Sequence, residues 1–579
     1  MKDRTQLTKN ILSTSISHRR TRPEMFKLIT ALFAIWSAAP AMLRADCREG
    51  CDLTYSNTYL GDSALLNSTG LDQTAVGYFA LSSVSTGAYN TATGYQALQS
   101  NVTGSGNTAA GALSLNKNIS GRNNTAVGMY ALFDNLGTGS ENTAIGYEAL
   151  EDADGSQNVG IGNFSMPVAN GTGNIGVGYY AGYIYGNGNT AVGEETLGGQ
   201  QFGYPHYGSF STAIGAQAMG AATGSDDTAV GYQALFNNTA NDTTAIGFEA
   251  LFSNTTGGNN TATGHSALYS NQTGSNNTAD GNNALLNNIG NDNTAEGFQA
   301  LFSNTSGIDN TANGSNALQR NVTGKFNSAF GFSALFFNSN GNNNTALGDI
   351  ALRGNKTGSN NTAVGADALA TNSSGSNNIA LGFLTGASLT TGSNNIDIGN
   401  SGVAGEAGTI RIGTNGTQIK AYMAGISGGT IDGGVPVLID PSGHLGTTTS
   451  SARYKEDIEA MKSASSVVYS LQPVTFRYRK DAGGSGIKHF GLIAEQVEQV
   501  DPDLVAHDEQ GKPYSVHYDA VNAMLLNEFL KEHRRNKQHE AMIAAQQKQI
   551  DELRAASKEQ LAELQKISHQ LISDQTERQ

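Results

Sequence analysis

The chain is short of almost everything an ordinary globular protein uses to build and charge its surface. Of 579 residues, only 14% are charged and 7% aromatic, with nine prolines, two cysteines and one tryptophan. Lys and Arg number nine in residues 1–50, six in 52–400, two in 401–449 and seventeen in 450–579. The long middle stretch therefore lacks the cations that grip phosphates, which excludes a nucleic-acid interface there. The net charge of −15 favours solubility and carries no information about fold. A zinc site needs about four ligands and no Cys/His partner pair lies near the two cysteines, so no metal or cofactor is expected. The pair Cys47 and Cys51, in Cys-Arg-Glu-Gly-Cys, reads as a small disulfide loop in an oxidising compartment, with two free thiols the alternative.

Long apolar runs are missing too, with one exception at residues 26–43. That run follows His18, Arg19, Arg20, Arg22 and Lys27, and leaves through the small residues Ala39, Ala41 and Ala45. A basic start, an apolar middle and a small-residue exit are the pattern of a secretory signal peptide over residues 1–45, with Met25 a possible start. A retained membrane anchor is the alternative, although the run is short against the ~20 apolar residues of a bilayer span. No other stretch is expected to cross a membrane as a helix.

What is abundant is glycine, 72 residues, and a repeat. The pentapeptide Asn-Thr-Ala-x-Gly, with variants, recurs twenty times between Gln73 and Gly399. Its second position falls at Thr74, Thr91, Thr108 and onward to Thr362, Ile379 and Ile396. Most steps are 17 residues; one of 22, from Thr190 to Thr212, contains an insertion around Pro205 and His206. A period this short means a solenoid whose coils bury a face only against neighbouring coils. Gly and Asn supply corners with positive φ. Thr-Ala-Val/Ile-Gly is a short strand, and its Ala implies a narrow interior. At about 4.8 Å per coil, twenty coils give a rod of about 95 Å. A thin coil is expected to leave its Leu/Phe row exposed, to be covered by winding three chains together.

An ice-binding Thr row has only one fixed Thr per coil, and the Gly-Gly-x-Gly-x-Asp pattern of calcium solenoids is missing. Triplets such as Asn101-Val102-Thr103 read as turn residues rather than glycosylation sites. The tyrosines around Tyr179, Tyr180, Tyr183 and Tyr185 read as coil packing rather than a sugar-binding surface.

Residues 46–72 form an N-terminal segment with the Cys pair, 73–399 the repeats, and 400–449 a Gly-rich neck with short β segments. Composition then turns charged. Ile458, Met461, Val468 and Leu471 suggest a helix ended by Pro473. Val474–Arg479 alternates as a strand, and Phe490–Val497 leads from a strand into a short helix. Two strands flank the turn at Asp508–Gly511, and Asp519 is expected to cap a long helix. From Ile543 a heptad runs through Ile550, Leu553, Leu564, Ile567 and Leu571, consistent with a coiled coil or a solitary exposed helix over 521–579.

The repeat block resembles the head domains of trimeric bacterial adhesins of the YadA-like type, built from Asn/Ser-x-Ala-Ile/Val-Gly units. That resemblance implies a left-handed parallel β-roll in a homotrimer. The unit of 17 residues is longer than the usual head repeat. Residues 450–579 resemble the endosialidase-type intramolecular chaperone of phage tailspikes and fibres. Members trimerise the fibre ahead of them and then cut themselves off through a Ser–Lys dyad. The family motif maps onto Ser450, Arg453 and Lys455, and a second family element onto Gly491-Leu492-Ile493-Ala494-Glu495-Gln496-Val497. The family usually has Asp after the nucleophile; here it is Ser451. The resemblance implies attack by Ser450 on the carbonyl of Thr449, with Lys455 as base, in residues 450–520.

The expectation is a mainly β protein, a trimeric parallel β-solenoid of ~17-residue coils with a small α+β C-terminal chaperone and a terminal coiled coil. It would be a secreted or surface fibre, adhesin-like, that cleaves itself once and turns over no other substrate. A cell-surface or glycan receptor is the expected partner beyond the homotrimer. A phage-type tail fibre, or an ice- or glycan-binding solenoid, is the alternative.

Overall fold

The computed structural model describes residues 49–578 except 53, 67, 136–137, 199–202, 204, 425–433, 441, 448, 483 and 509. Residues 1–45, expected to be a signal peptide, and Cys47 lie outside the described residues; Cys51 is exposed on the first strand. The chain divides into two compact units, Met1–Thr414 and Asn415–Gln579.

In the first unit each coil contributes one three-residue strand, paired in parallel and in register with the same residues of the next coil. Thr362, Ala363 and Val364 lie against Ile379, Ala380 and Leu381. The middle residue points inward, and the first and third point outward. All twenty expected strands form, from Thr74–Val76 to Ile396–Ile398. The stack also runs one strand further at each end, to Asn57–Leu60 and to Ile410–Ile412. Thr409–Ile412, read as neck, thus continues the solenoid; its shorter step and missing pentapeptide hid it. An antiparallel strand, Glu49–Asp52, covers the N-terminal edge and removes an open row of backbone groups.

Glycine ends each strand for a steric reason. Gly365 has φ 132°, and a Cβ there would sit 2.4 Å from the carbonyl oxygen of Gly382. Three further corners per coil are left-handed and in most coils hold residues other than glycine, as at Asn360, Asp367 and Leu369, with φ of 58°, 56° and 52°.

The interior differs from expectation in one respect. The leucine of each Ala-Leu pair is not exposed. Leu81, Leu98, Leu251, Leu301 and Leu369 are fully buried within the single chain, beside the alanine columns. The left-handed φ at this leucine folds it under its own coil, which a periodicity count does not reveal. Where the strand has Gly in place of Ala, the core side chain beside it is why. A Cβ at Gly160 would sit 2.9 Å from Leu150 Cγ, and one at Gly176 would sit 2.5 Å from Met166 Cγ. What stays outside is the third strand residue and the aromatic after Gly, such as Ile145, Ile246, Tyr95 and Phe332. Aromatics after the buried Leu stack between coils: Phe236 on Phe252 at 5.4 Å, and Phe252 on Tyr269 at 5.3 Å.

Two asparagine ladders run through the interior, each member buried. In one, Asn361 Nδ2 donates to Gly375 O at 2.9 Å and its Oδ1 accepts from the Asn378 amide at 3.0 Å. In the other, Asn355 Nδ2 donates to Asn338 Oδ1 at 2.9 Å and to Gly358 O at 2.9 Å. The amide side chain thereby satisfies backbone groups that a narrow coil cannot pair with itself. Asn101 belongs to this second ladder, so Asn101-Val102-Thr103 is built into the coil. The long step places His206 in the interior, its Nδ1 2.9 Å from Ala222 O, and burial pushes its pKa down.

The second unit is small. Val497, Leu504, Val505, Val516 and Val521 form its core. A hairpin pairs Val474–Phe476 with His489–Gly491, and another pairs Val505–His507 with Pro513–Val516. Helix α1 spans Ala494–Val500 and helix α2 spans Tyr518–Thr576. Two expectations change. The helix expected over residues 458–471 is a 3-10 stretch, Ala464–Ser470, because its serines and adjacent Val467 and Val468 disfavour an α-helix. Asp519 lies in the first turn of α2 rather than capping it; His517 holds the cap position without a side-chain bond. Asp519 there still favours the helix dipole.

Candidate functional site

Ser450 is exposed, one residue before the extended cap, Ser451, of a single 3-10 turn, Ala452–Tyr454. Ser451 caps that turn: its Oγ accepts from the Arg453 amide at 3.3 Å and from Arg453 Nε at 3.2 Å. Lys455 closes it, its amide donating to Ala452 O at 3.3 Å, with the side chain exposed. The Arg453 guanidinium lies 5.5 Å from the Tyr454 ring centroid. The turn therefore puts Ser450 and Lys455 at its two ends, but no hydrogen bond joins them. Thr449, on the other side of the expected scissile bond, is exposed as well.

The second motif is placed by packing. Gly491 ends its strand opposite Val474, where a Cβ would sit 2.8 Å from Tyr518 Oη. The same hydroxyl accepts from the Leu492 amide at 2.9 Å, tying the strand's exit to the start of α2. Glu495 lies exposed in the first turn of α1, where a carboxylate is favoured by the helix N-terminus. The hairpin is fixed to α1 by His507 Nε2, 2.8 Å from Glu498 Oε1.

A second serine–lysine pair, Ser465 and Lys531, has no motif in the sequence. Ser465 is buried, and its Oγ accepts from Lys531 Nζ at 3.0 Å and from Asn527 Nδ2 at 2.6 Å. The same hydroxyl donates to Glu528, whose other oxygen accepts from Tyr469 Oη at 2.9 Å. Bonds from Lys531 and Ser465 hold Glu528 down to about 2. Lys531 is ion-paired with that carboxylate at 2.5 Å, and a carboxylate this acidic is a poor base. The cluster thus pins the 3-10 stretch to α2 rather than arming a nucleophile. Its members are about sixty residues apart in sequence, and no local pattern could have found it.

Beyond residue 535, α2 is exposed on all sides, including the heptad positions Ile550, Leu553, Leu564 and Leu571. Among the described residues, no helix is long and apolar enough to cross a membrane.

Residues 450–506 match the model of a peptidase family described as the chaperone of endosialidase. Searches of the curated proteins and of the solved structures found no match. A chaperone-of-endosialidase segment thus follows a parallel β-solenoid in this chain.

Proposed function

We propose that the chain is a homotrimeric fibre whose C-terminal segment drives assembly and then cuts itself off between Thr449 and Ser450. The observation that carries this reading is the start of the family match at Ser450, directly behind the solenoid and its neck. In the proposed chemistry, Ser450 Oγ attacks the Thr449 carbonyl carbon while neutral Lys455 Nζ takes the hydroxyl proton. The Thr449–Ser450 C–N bond breaks, the released amine takes a proton, and water then frees the acyl group. A lysine can serve as base only where burial lowers its pKa. Both side chains are exposed in the single chain, so the reading requires that packing of three chains bury the turn. Assembly then licenses cleavage.

Three further elements belong to the proposal. The solenoid is a left-handed roll of the adhesin-head kind, the exposed heptads of α2 form a trimeric coiled coil, and residues 1–45 export the fibre. A phage-type tail fibre is the second reading, favoured by the pairing of solenoid and endosialidase-type chaperone.

A denaturing gel of the purified full-length chain tests the cleavage. Wild type should release a 130-residue fragment, Ser450 to Gln579, without added protease. Ser450→Ala and Lys455→Ala should each leave an intact chain that still trimerises, and Ser451→Ala should still cut. An uncut wild-type trimer would remove the peptidase activity. Cleavage lost in Ser451→Ala but kept in Ser450→Ala would move the nucleophile by one residue.

A further inference from the structure

We propose that the coils spanning residues 320–356 carry a binding site for an acidic polysaccharide, centred on Lys325 and Phe326. The first observation is charge. No Lys or Arg lies between Arg122 and Arg320, yet Arg320, Lys325, Arg353 and Lys356 follow within four turns of the repeat. All four are exposed, and none forms an ion pair with a described carboxylate. Arg320 and Arg353 instead flank the Phe336–Phe337 pair, each 5.0–5.9 Å from a ring centroid. Unpaired cations on an otherwise acidic rod focus an anionic ligand on these coils and repel it elsewhere.

The second observation is strain. Phe326 occupies a corner that must be left-handed, with φ 57°. The coils on either side fill that corner with Asp292, Asp309, Asn343 and Asn360, residue types that tolerate it. Phenylalanine pays for that conformation and recovers little by burial, since it is 54% exposed. Its ring borders a cleft of 570 Å³ that also takes in Lys325, Ser306, Thr323, Asn340 and Asn342. Asn342 Oδ1 accepts from the Lys325 amide at 2.8 Å, and the Asn342 NH2 group is a further donor. An aromatic ring for the apolar face of a sugar, hydroxyls and amides for its hydroxyl groups, and one ammonium for a carboxylate together suit an acidic saccharide. Four cations with so many neutral polar groups fit a duplex nucleic acid poorly, since that carries a charge every ~1.7 Å.

Affinity electrophoresis of the full-length chain through gels holding polygalacturonate, hyaluronate or neutral dextran tests the site. The acidic polymers should retard the protein, dextran should not, and retardation should weaken as salt rises. Lys325→Gln and Phe326→Asn should each raise the apparent Kd at least fivefold. Phe326→Asn keeps the coil intact, because the neighbouring coils already use Asn at that corner. Phe210→Asn, at the same corner of a coil remote from any Lys or Arg, should leave binding unchanged. The proposal fails if neither acidic polymer binds, if Lys325→Gln and Phe326→Asn bind like wild type, or if DNA of matched charge binds more tightly.

Discussion

Asp227 shows how much one atom matters in a coil this narrow. It holds a ladder position that other coils give to Asn, between Ser211 and Thr243, and is buried. Its oxygens accept from the Thr243 amide at 2.9 Å and from Asn238 Nδ2 at 2.8 Å. Burial pushes its pKa up to about 7 against those two bonds, with Asp242 and Asp226 adding to the rise. The folded pKa lies above the unfolded value of ~3.9, so the folded state holds the extra proton. The contribution of Asp227 to stability is therefore most favourable below about pH 4, falls as pH rises toward about 7, and is flat above that. Asp227→Asn should remove this slope and stabilise the solenoid at pH 8 by about 2–4 kcal/mol, with a much smaller gain at pH 4. Thermal unfolding of both chains at the two pH values checks this. An equal gain at both would mean that Asp227 does not titrate in this range. Asp397 is the same problem at the far end: it takes the strand's Ala position, buried, with neither carboxylate oxygen bonded. Burial, aided by Glu406 and opposed by Arg411, lifts it to about 6.

A coil stands by its ladders as well as by its apolar column. Asn304 Nδ2 donates to Asn288 Oδ1 at 2.6 Å and to Gly307 O at 2.9 Å, while its Oδ1 accepts from Asn321 at 2.7 Å. Asn304→Ala removes those three bonds, while Gly307 O and Asn288 Oδ1 keep Asn293 Nδ2 and Asn321 Nδ2 keeps Gly324 O. The loss should be about 1.5–4 kcal/mol, from three hydrogen bonds at ~0.5–1.5 kcal/mol each. Limited proteolysis should then cut first near coil 304, and unchanged resistance there would show that water replaces the amide. The terminal helix sets the opposite problem, an element with too few partners. Ile550 and Leu564 are exposed heptad residues, and the proposed coiled coil would bury them. Ile550→Asp with Leu564→Asp should reduce the mass seen by light scattering from three chains to one, with the solenoid's β circular dichroism retained. A trimer that survives both substitutions would place the association elsewhere.

Across the whole molecule, the proposed trimer no longer draws support from the leucine row. Those leucines are buried in one chain, and the apolar groups left outside are the Val/Ile column and the Tyr/Phe column. The proposed assembly would therefore rest on α2, on these outer columns and on the chaperone segment.

The sequence alone determined the repeat, its strand and its phase. Asn-Thr-Ala-x-Gly carries the strand, the narrow interior and the left-handed glycine within five residues, so local chemistry sufficed. It also marked Ser450, Arg453 and Lys455 as a motif, and the family match begins at that serine. Only the tertiary structure decided where Leu369 and its equivalents go, because their burial depends on a left-handed φ that leucine does not advertise. Only it revealed that Asn355 and Asn361 are internal ladders, since each bond joins residues 17 or 14 apart around the coil. The same holds for Ser465, Glu528 and Lys531, which meet where a 3-10 stretch packs on a distant helix. Period and turn chemistry are written in neighbours along the chain, whereas burial and polar pairing are settled by neighbours across it.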